Sequence, residues 1–159
     1  MEATKMLSVI RLRGTVNVNY KIEDTMKMLR LHKPNHLVLL DNRRSYLKMI
    51  HKINNYVAWG EISVEIIEKL LKERGRIIGN KPLTDEFLQK NSQYKSISEF
   101  AKKLAEMKAE ISDVKGLKPV FRLHPPTKGI KGSKKISYKM GGISGYHGKD
   151  IENLINKMI

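Results

Sequence analysis

Between Val114 and Lys149 the chain carries nine Lys or Arg, seven Gly and three Pro, and no Asp or Glu. No feature narrows the possible folds more. Such a segment has too little apolar surface to order itself, and its lysines repel one another unless a polyanion lies nearby. Neither a helical nor a strand period runs through residues 113–149, apart from a short candidate strand at Val120 to Leu123. The segment is therefore predicted to be an arm that becomes ordered on a partner.

The rest of the 159 residues divide around it by charge. Residues 1–60 hold 11 basic and 4 acidic side chains, residues 61–112 hold 10 and 9, and residues 113–159 hold 10 and 3. Two basic segments flank a nearly neutral one, and the whole chain has a formal net charge of +15. The middle has the balance of an ordinary solvated surface, whereas the two ends are suited to phosphates. Cys is absent, which excludes disulfides and thiolate metal sites. No apolar run approaches the roughly 20 residues of a membrane-spanning helix, and Met1 to Ile10 lacks a signal-peptide pattern, so a soluble, intracellular chain with no membrane partner is expected.

Hydrophobic periodicity organises the first segment as βαβαβ. In Met6 to Arg13, Met6, Ser8, Ile10 and Leu12 share one face of a strand, and Leu7, Val9, Arg11 and Arg13 share the other. Asn19 is placed to cap a helix that runs to Arg30 with Ile22, Met26 and Leu29 on one stripe, and Pro34 prevents its continuation. Leu37 to Leu40 reads as a buried strand. Asp41 or Asn42 caps a second helix bearing Tyr46, Leu47, Ile50 and Ile53, and Tyr56 to Trp59 form a third strand ending at Gly60. The middle is helical: Ser63 to Gly75, a short helix opened by Pro82 and Thr84, and a helix behind the capping-box spacing Ser96 to Glu99. Asp150 caps a last helix, whose stripe of Ile151, Leu154, Ile155 and Met158 is expected to pack back on the body and pin the arm at both ends.

Enzymatic motifs fail on inspection. A phosphate-binding loop ending at Gly148-Lys149 would need Gly at position 143 and a hydroxyl at 150, where the chain has Ile143 and Asp150. His32 and His36 are separated by Pro34, so one helical face cannot present both; a loop or RNA-facing position is expected for them. Glu65, Glu68 and Glu73 alternate with Lys69 and Lys72 as solvent-facing pairs do. Trp59 reads as core. No cofactor, metal or small-molecule substrate is implied.

The basic residues are the candidate site. Arg11 and Arg13 share a strand face that runs into Gly14. Arg43 and Arg44 open the second helix, where the dipole disfavours cations unless a phosphate meets them. In the arm, Lys128, Lys131, Lys134, Lys135 and Lys139 alternate with glycines that let backbone approach backbone. Tyr138 and Tyr146 could stack on bases, but so few aromatics favour recognition of RNA shape and backbone over single-stranded sequence. An RNA-processing or RNA-modifying factor that uses the same basic ends for substrate capture is the alternative, and it lacks a visible acid–base pair or nucleotide site.

The runs Val9-Ile10-Arg11-Leu12-Arg13-Gly14, Met28-Leu29-Arg30-Leu31 and Tyr56-Val57-Ala58-Trp59-Gly60-Glu61 resemble the large-ribosomal-subunit protein family numbered thirty in bacteria and archaea and seven in eukaryotes. Lys81-Pro82-Leu83-Thr84-Asp85, Phe121-Arg122-Leu123-His124-Pro125-Pro126, Gly141-Gly142 and Leu154-Ile155-Asn156-Lys157-Met158 extend the resemblance, in order, to its archaeal and eukaryotic branch. The resemblance implies an α+β fold: a βαβαβ core over residues 1–60 with a three-stranded antiparallel, ferredoxin-like sheet, a helical insertion over 61–112, and a basic arm with a terminal helix over 113–159. It further implies a non-enzymatic constituent of cytoplasmic ribosomes that binds large-subunit ribosomal RNA and neighbouring ribosomal proteins, close to the 5S RNA in archaeal members. RNA contacts are expected of Arg11, Arg13, Arg30, Lys33, Arg43, Arg44 and Lys48, and of the five arm lysines as a group. Lys48 departs from the Gly of many archaeal relatives; as the better helix former it should keep the second helix intact.

Overall fold

A computed structural model of the chain describes residues 5–159, so the first four residues of the expected core segment lie outside it. The apolar alternation read from the first segment produces strands β1 (Leu7–Arg11), β2 (His36–Leu40) and β3 (Val57–Glu61), with helices α1 (Tyr20–Met28) and α2 (Arg44–Lys52) between them. Asn19 caps α1 as expected, its side chain accepting from the Lys21 N–H. β1 is central and antiparallel to both neighbours, with Val9 opposite Val38 on one side and Trp59 on the other.

The sheet is larger than the three antiparallel strands expected. β4 (Val120–Arg122) adds antiparallel to β2, and the two-residue β5 (Gly145–Tyr146) adds parallel to β3. The result is a mixed five-stranded sheet in the order β4-β2-β1-β3-β5. The three-stranded unit leaves two edges with unpaired N–H and C=O groups, and the C-terminal segment returns to cover both.

Both faces of the sheet are buried. Leu7, Val9, Val38, Val57 and Trp59 pack against α1 and α2 residues such as Met26 and Ile50. Met6, Ile10, Leu37, Ala58 and Phe121 turn the other way, into a larger cluster with α3 (Val64–Arg74), α5 (Ile97–Ala105) and α6 (Ile151–Met158). The two apolar faces inferred for β1 thus serve two separate layers. α4 (Asp85–Asn91) packs Leu88 into the same larger cluster. Thr84 caps α4 and Ser96 caps α5, their hydroxyls accepting from the Phe87 and Glu99 N–H groups. The expected capping box closes in part: the Glu99 carboxylate accepts from the Lys95 N–H, one residue ahead of the cap.

The terminal helix folds back as its stripe requires, with Ile151, Ile155 and Met158 fully buried. Asp150 stands at its N-terminus but makes no capping bond; its carboxylate accepts from the Tyr138 hydroxyl at 2.8 Å instead. Among the described residues no helix is long and apolar enough to cross a membrane.

Candidate nucleic-acid interface

The arm follows a path that main-chain hydrogen bonds define. Tyr138 N–H donates to Ser144 O at 2.8 Å, Gly142 N–H to Ser137 O at 2.9 Å, and Ser144 N–H to Ile136 O at 3.2 Å, closing a small loop on itself. These bonds require two chain segments to touch. A Cβ on Gly142 would sit 1.9 Å from the Ile136 carbonyl oxygen, so only glycine fits there. Composition gave no sign of this path because it is built from main-chain bonds rather than apolar burial. The loop is then tied to the body: His147 N–H donates to Trp59 O, His124 N–H to Met158 O and Thr127 N–H to Lys157 O.

The two tyrosines considered for base stacking are used in these ties. Tyr138 stacks on the His147 ring at 4.0 Å between centroids. Tyr146 packs on Trp59 and donates its hydroxyl to Glu61 at 2.5 Å; that bond, with burial second, pushes its pKa up to about 12. Trp59 is core, as expected, with its indole N–H donating to Asn54. By contrast Lys128, Lys131, Lys134, Lys135 and Lys139 are all exposed, and among the described residues none forms an ion pair. The loop thus presents five ammonium groups on a hydrogen-bonded frame.

The predicted basic residues of the first segment fall into different settings. Arg11 is a correction: it is 1% exposed rather than solvent-facing. Its Nε donates to Arg13 O and its Nη1 to Leu31 O at 2.7 Å, which stitches the end of β1 to the end of the α1 connection. Burial lowers its pKa, and Nη2 has no partner. Strand alternation alone could not distinguish it from Arg13, which lies with its guanidinium 4.7 Å from the centre of the Tyr56 ring.

Arg43 is exposed and occupies the N-cap of α2 without a side-chain cap. Asp41 pairs with its Nε, and Glu110 of the helical segment lies 3.2 Å from Nη2. Neither Asp41 nor Asn42 caps the helix. Arg30 and Arg43 line one groove with Met28, Asp41, Tyr46 and Glu110. Arg30, Lys33, Arg44 and Lys48 are exposed, and α2 runs uninterrupted through Lys48. Glu68 pairs with Lys72 on the α3 surface, whereas Lys69 donates to Asn156.

His36 is not in a loop: it starts β2 and pairs with Arg122 of β4. Burial lowers its pKa, and the nearby charges of His32, Arg122, Lys33 and Arg11 lower it further. The gathering of these cations at one end of the sheet was legible only once β4 was paired with β2. Burial also lowers the pKa of His147, whose Nε2 lies 2.7 Å from Ile143 O and donates to it. Both imidazoles are disfavoured as cations in the folded state, while the unfolded chain protonates them near pH 6.5. Stability is therefore expected to be full above that value and to fall as pH drops through it. Urea midpoints at pH 7.5 and 5.5 check this: the lower pH should give the lower midpoint, and His36→Gln should shrink the gap.

Among the described residues no group of three His, Asp or Glu could hold a metal ion. The family described as ribosomal protein L30p/L7e matches residues 7–57, the span from β1 to the start of β3. The chain is similar over nearly all its length to large ribosomal subunit protein uL30 of Archaeoglobus fulgidus, at 50% identity over 153 residues that cover 96% of this chain and 99% of that one. It is 49% identical to the uL30 of Methanoregula boonei over 154 residues, 96% and 99% of the two chains, and 47% identical to that of Methanopyrus kandleri over 149 residues, 93% and 100%. With these relatives spanning the sheet, the helical insertion and the lysine loop alike, the chain belongs to the L30p/L7e family of ribosomal proteins in its archaeal, uL30 form.

Proposed function

We propose that the chain is a structural constituent of the large ribosomal subunit that binds and stabilises folded ribosomal RNA. The observation that carries this reading is the loop of residues 128–147, where five exposed lysines without carboxylate partners stand on a hydrogen-bonded, glycine-closed mount. A fixed array of ammonium groups neutralises phosphates that RNA folding crowds together, and it loses little conformational freedom in doing so. The family is structural and non-enzymatic, which leaves the alternative of an RNA-processing factor without support.

Recognition is of backbone and shape. The tyrosines that could read unstacked bases each already pack on a ring of the protein, Tyr138 on His147 and Tyr146 on Trp59. Arg13, Arg30, Lys33, Arg44 and Lys48 extend the contact from the βαβαβ segment, and Arg11 supports it from within by fixing the strand end. The large RNA is the principal partner, with the 5S RNA and neighbouring ribosomal proteins beside it in the cytoplasmic ribosome. The three segments, 1–60, 61–112 and 113–159, act as core, support and clamp. A tagged copy sedimented from cells in low salt should co-migrate with large subunits and leave them only in strong salt. Sedimentation as free protein under the gentlest conditions would overturn the reading.

A further inference from the structure

A second cationic site lies away from the lysine loop. Arg74 and Arg76, at and just beyond the end of α3, and Arg122 of β4 converge with Asn80 on a cleft of about 290 Å³. No Asp or Glu lines it, and among the described residues none of the three arginines pairs with an Asp or Glu side chain. Residues 61–112 have nearly balanced charge, and Lys72 and Lys108 pair there with Glu68 and Glu106, whereas the cleft gathers arginines alone.

The arginines are also held in place. Arg74 donates through Nη2 to Ile159 O at 2.6 Å. Arg76 donates through Nη1 to Glu73 O and Gly75 O, the carbonyls at the end of α3. Arg122 donates to the amide oxygen of Asn80, whose backbone is in the left-handed region at φ 62°. In each case one part of the guanidinium is bound to a main-chain or amide oxygen and other N–H groups remain. Three guanidiniums brought to one cleft with no Asp or Glu side chain among them repel one another, and a planar fork already fixed on one side suits bidentate contact with phosphate oxygens.

We infer that the Arg74–Arg76–Arg122 cleft is an oxyanion site that takes a backbone phosphate of ribosomal RNA, a second point of attachment distinct from the lysine loop. The inference rests on the RNA-binding reading above for the identity of its ligand. A clamp at two separated surfaces fixes the orientation of the protein on folded RNA, which the lysine loop alone does not.

The test is equilibrium binding of the full chain to purified large-subunit ribosomal RNA across a salt series, with Arg122→Gln and Arg122→Lys. Arg122 is exposed and its side chain bonds to Asn80, so these changes leave the core alone. Arg122→Gln should make the slope of log K against log salt shallower by about 0.7 to 0.9 and weaken binding about 5- to 8-fold at 0.1 M salt. Arg122→Lys should restore the slope, since it returns the charge. Unchanged slope and affinity in Arg122→Gln, with the unaltered chain binding normally, would overturn the cleft and leave the general reading standing. Absence of salt-sensitive RNA binding by the unaltered chain would instead overturn that reading, and with it the RNA phosphate as ligand. Inorganic phosphate separates the sources: side-chain NMR shifts of the three arginines with phosphate, alongside unchanged RNA binding in Arg122→Gln, would assign the cleft to a free anion and overturn the inference.

Discussion

Replacing Lys128, Lys131, Lys134, Lys135 and Lys139 together by Gln is expected to weaken binding to large-subunit ribosomal RNA by roughly 10²- to 10⁴-fold at 0.1 M salt. Each side chain is exposed and unpaired, so nothing inside the protein competes with phosphate for it. The loop that carries them is closed by main-chain bonds and buries Ile143 and Ser144, none of which depends on lysine. The variant should therefore keep its thermal midpoint, or gain a little from relief of self-repulsion. Filter binding against calorimetry separates the two effects. A variant that binds RNA as tightly as the unaltered chain would show that the lysines are only a solvated surface.

Gly60→Ala is expected to destabilise the whole chain by about 2–3 kcal/mol. Gly60 lies in β3 opposite Ser8, and a Cβ there would stand 2.1 Å from the Gly148 carbonyl oxygen. That oxygen belongs to backbone in the turn Gly148–Asp150, which leads into α6, so no side-chain rotation relieves the clash. Either the strand leaves its place beside β1 or the turn lifts off. Lifting it would break the His147 N–H bond to Trp59 O and loosen the anchorage of the lysine loop. For a chain of this size the midpoint should drop by about 4–12 °C, with faster hydrogen exchange at His147. Gly14→Ala is the control: nothing lies within 4 Å of its added methyl, and stability should change by less than about 0.5 kcal/mol.

The elements that sequence revealed are those whose signal is local. The Leu7–Arg11 alternation, the Asn19, Thr84 and Ser96 caps and the stripe of the last helix all appear where the residues placed them. The missing parts are long-range. β5 is two residues long and exists only because β3 offers a free edge to its backbone. The path of the arm was not legible because charge and glycine content describe side chains, while the path is set by carbonyls and amides that glycine allows to meet. Arg11 was misread because alternation assigns a face without saying what covers it, and the α1 connection covers this one with the Leu31 carbonyl. Arg43 had a carboxylate partner in Glu110, too far along the chain for spacing to reveal. The ferredoxin-like resemblance described one helical layer, and the second layer of α3, α5 and α6 explains what residues 61–159 are for: they bury the sheet face that α1 and α2 leave open.

The central claim is that preformed cationic surfaces on this fold neutralise ribosomal RNA phosphates, and the salt dependence of binding reads that number directly. Affinity of the unaltered chain for large-subunit ribosomal RNA, measured from 50 mM to 500 mM monovalent salt, should fall along a straight line of log K against log salt with a slope steeper than about −3.5, the contribution of five lysines at about −0.7 each. A slope near zero over that range would contradict it.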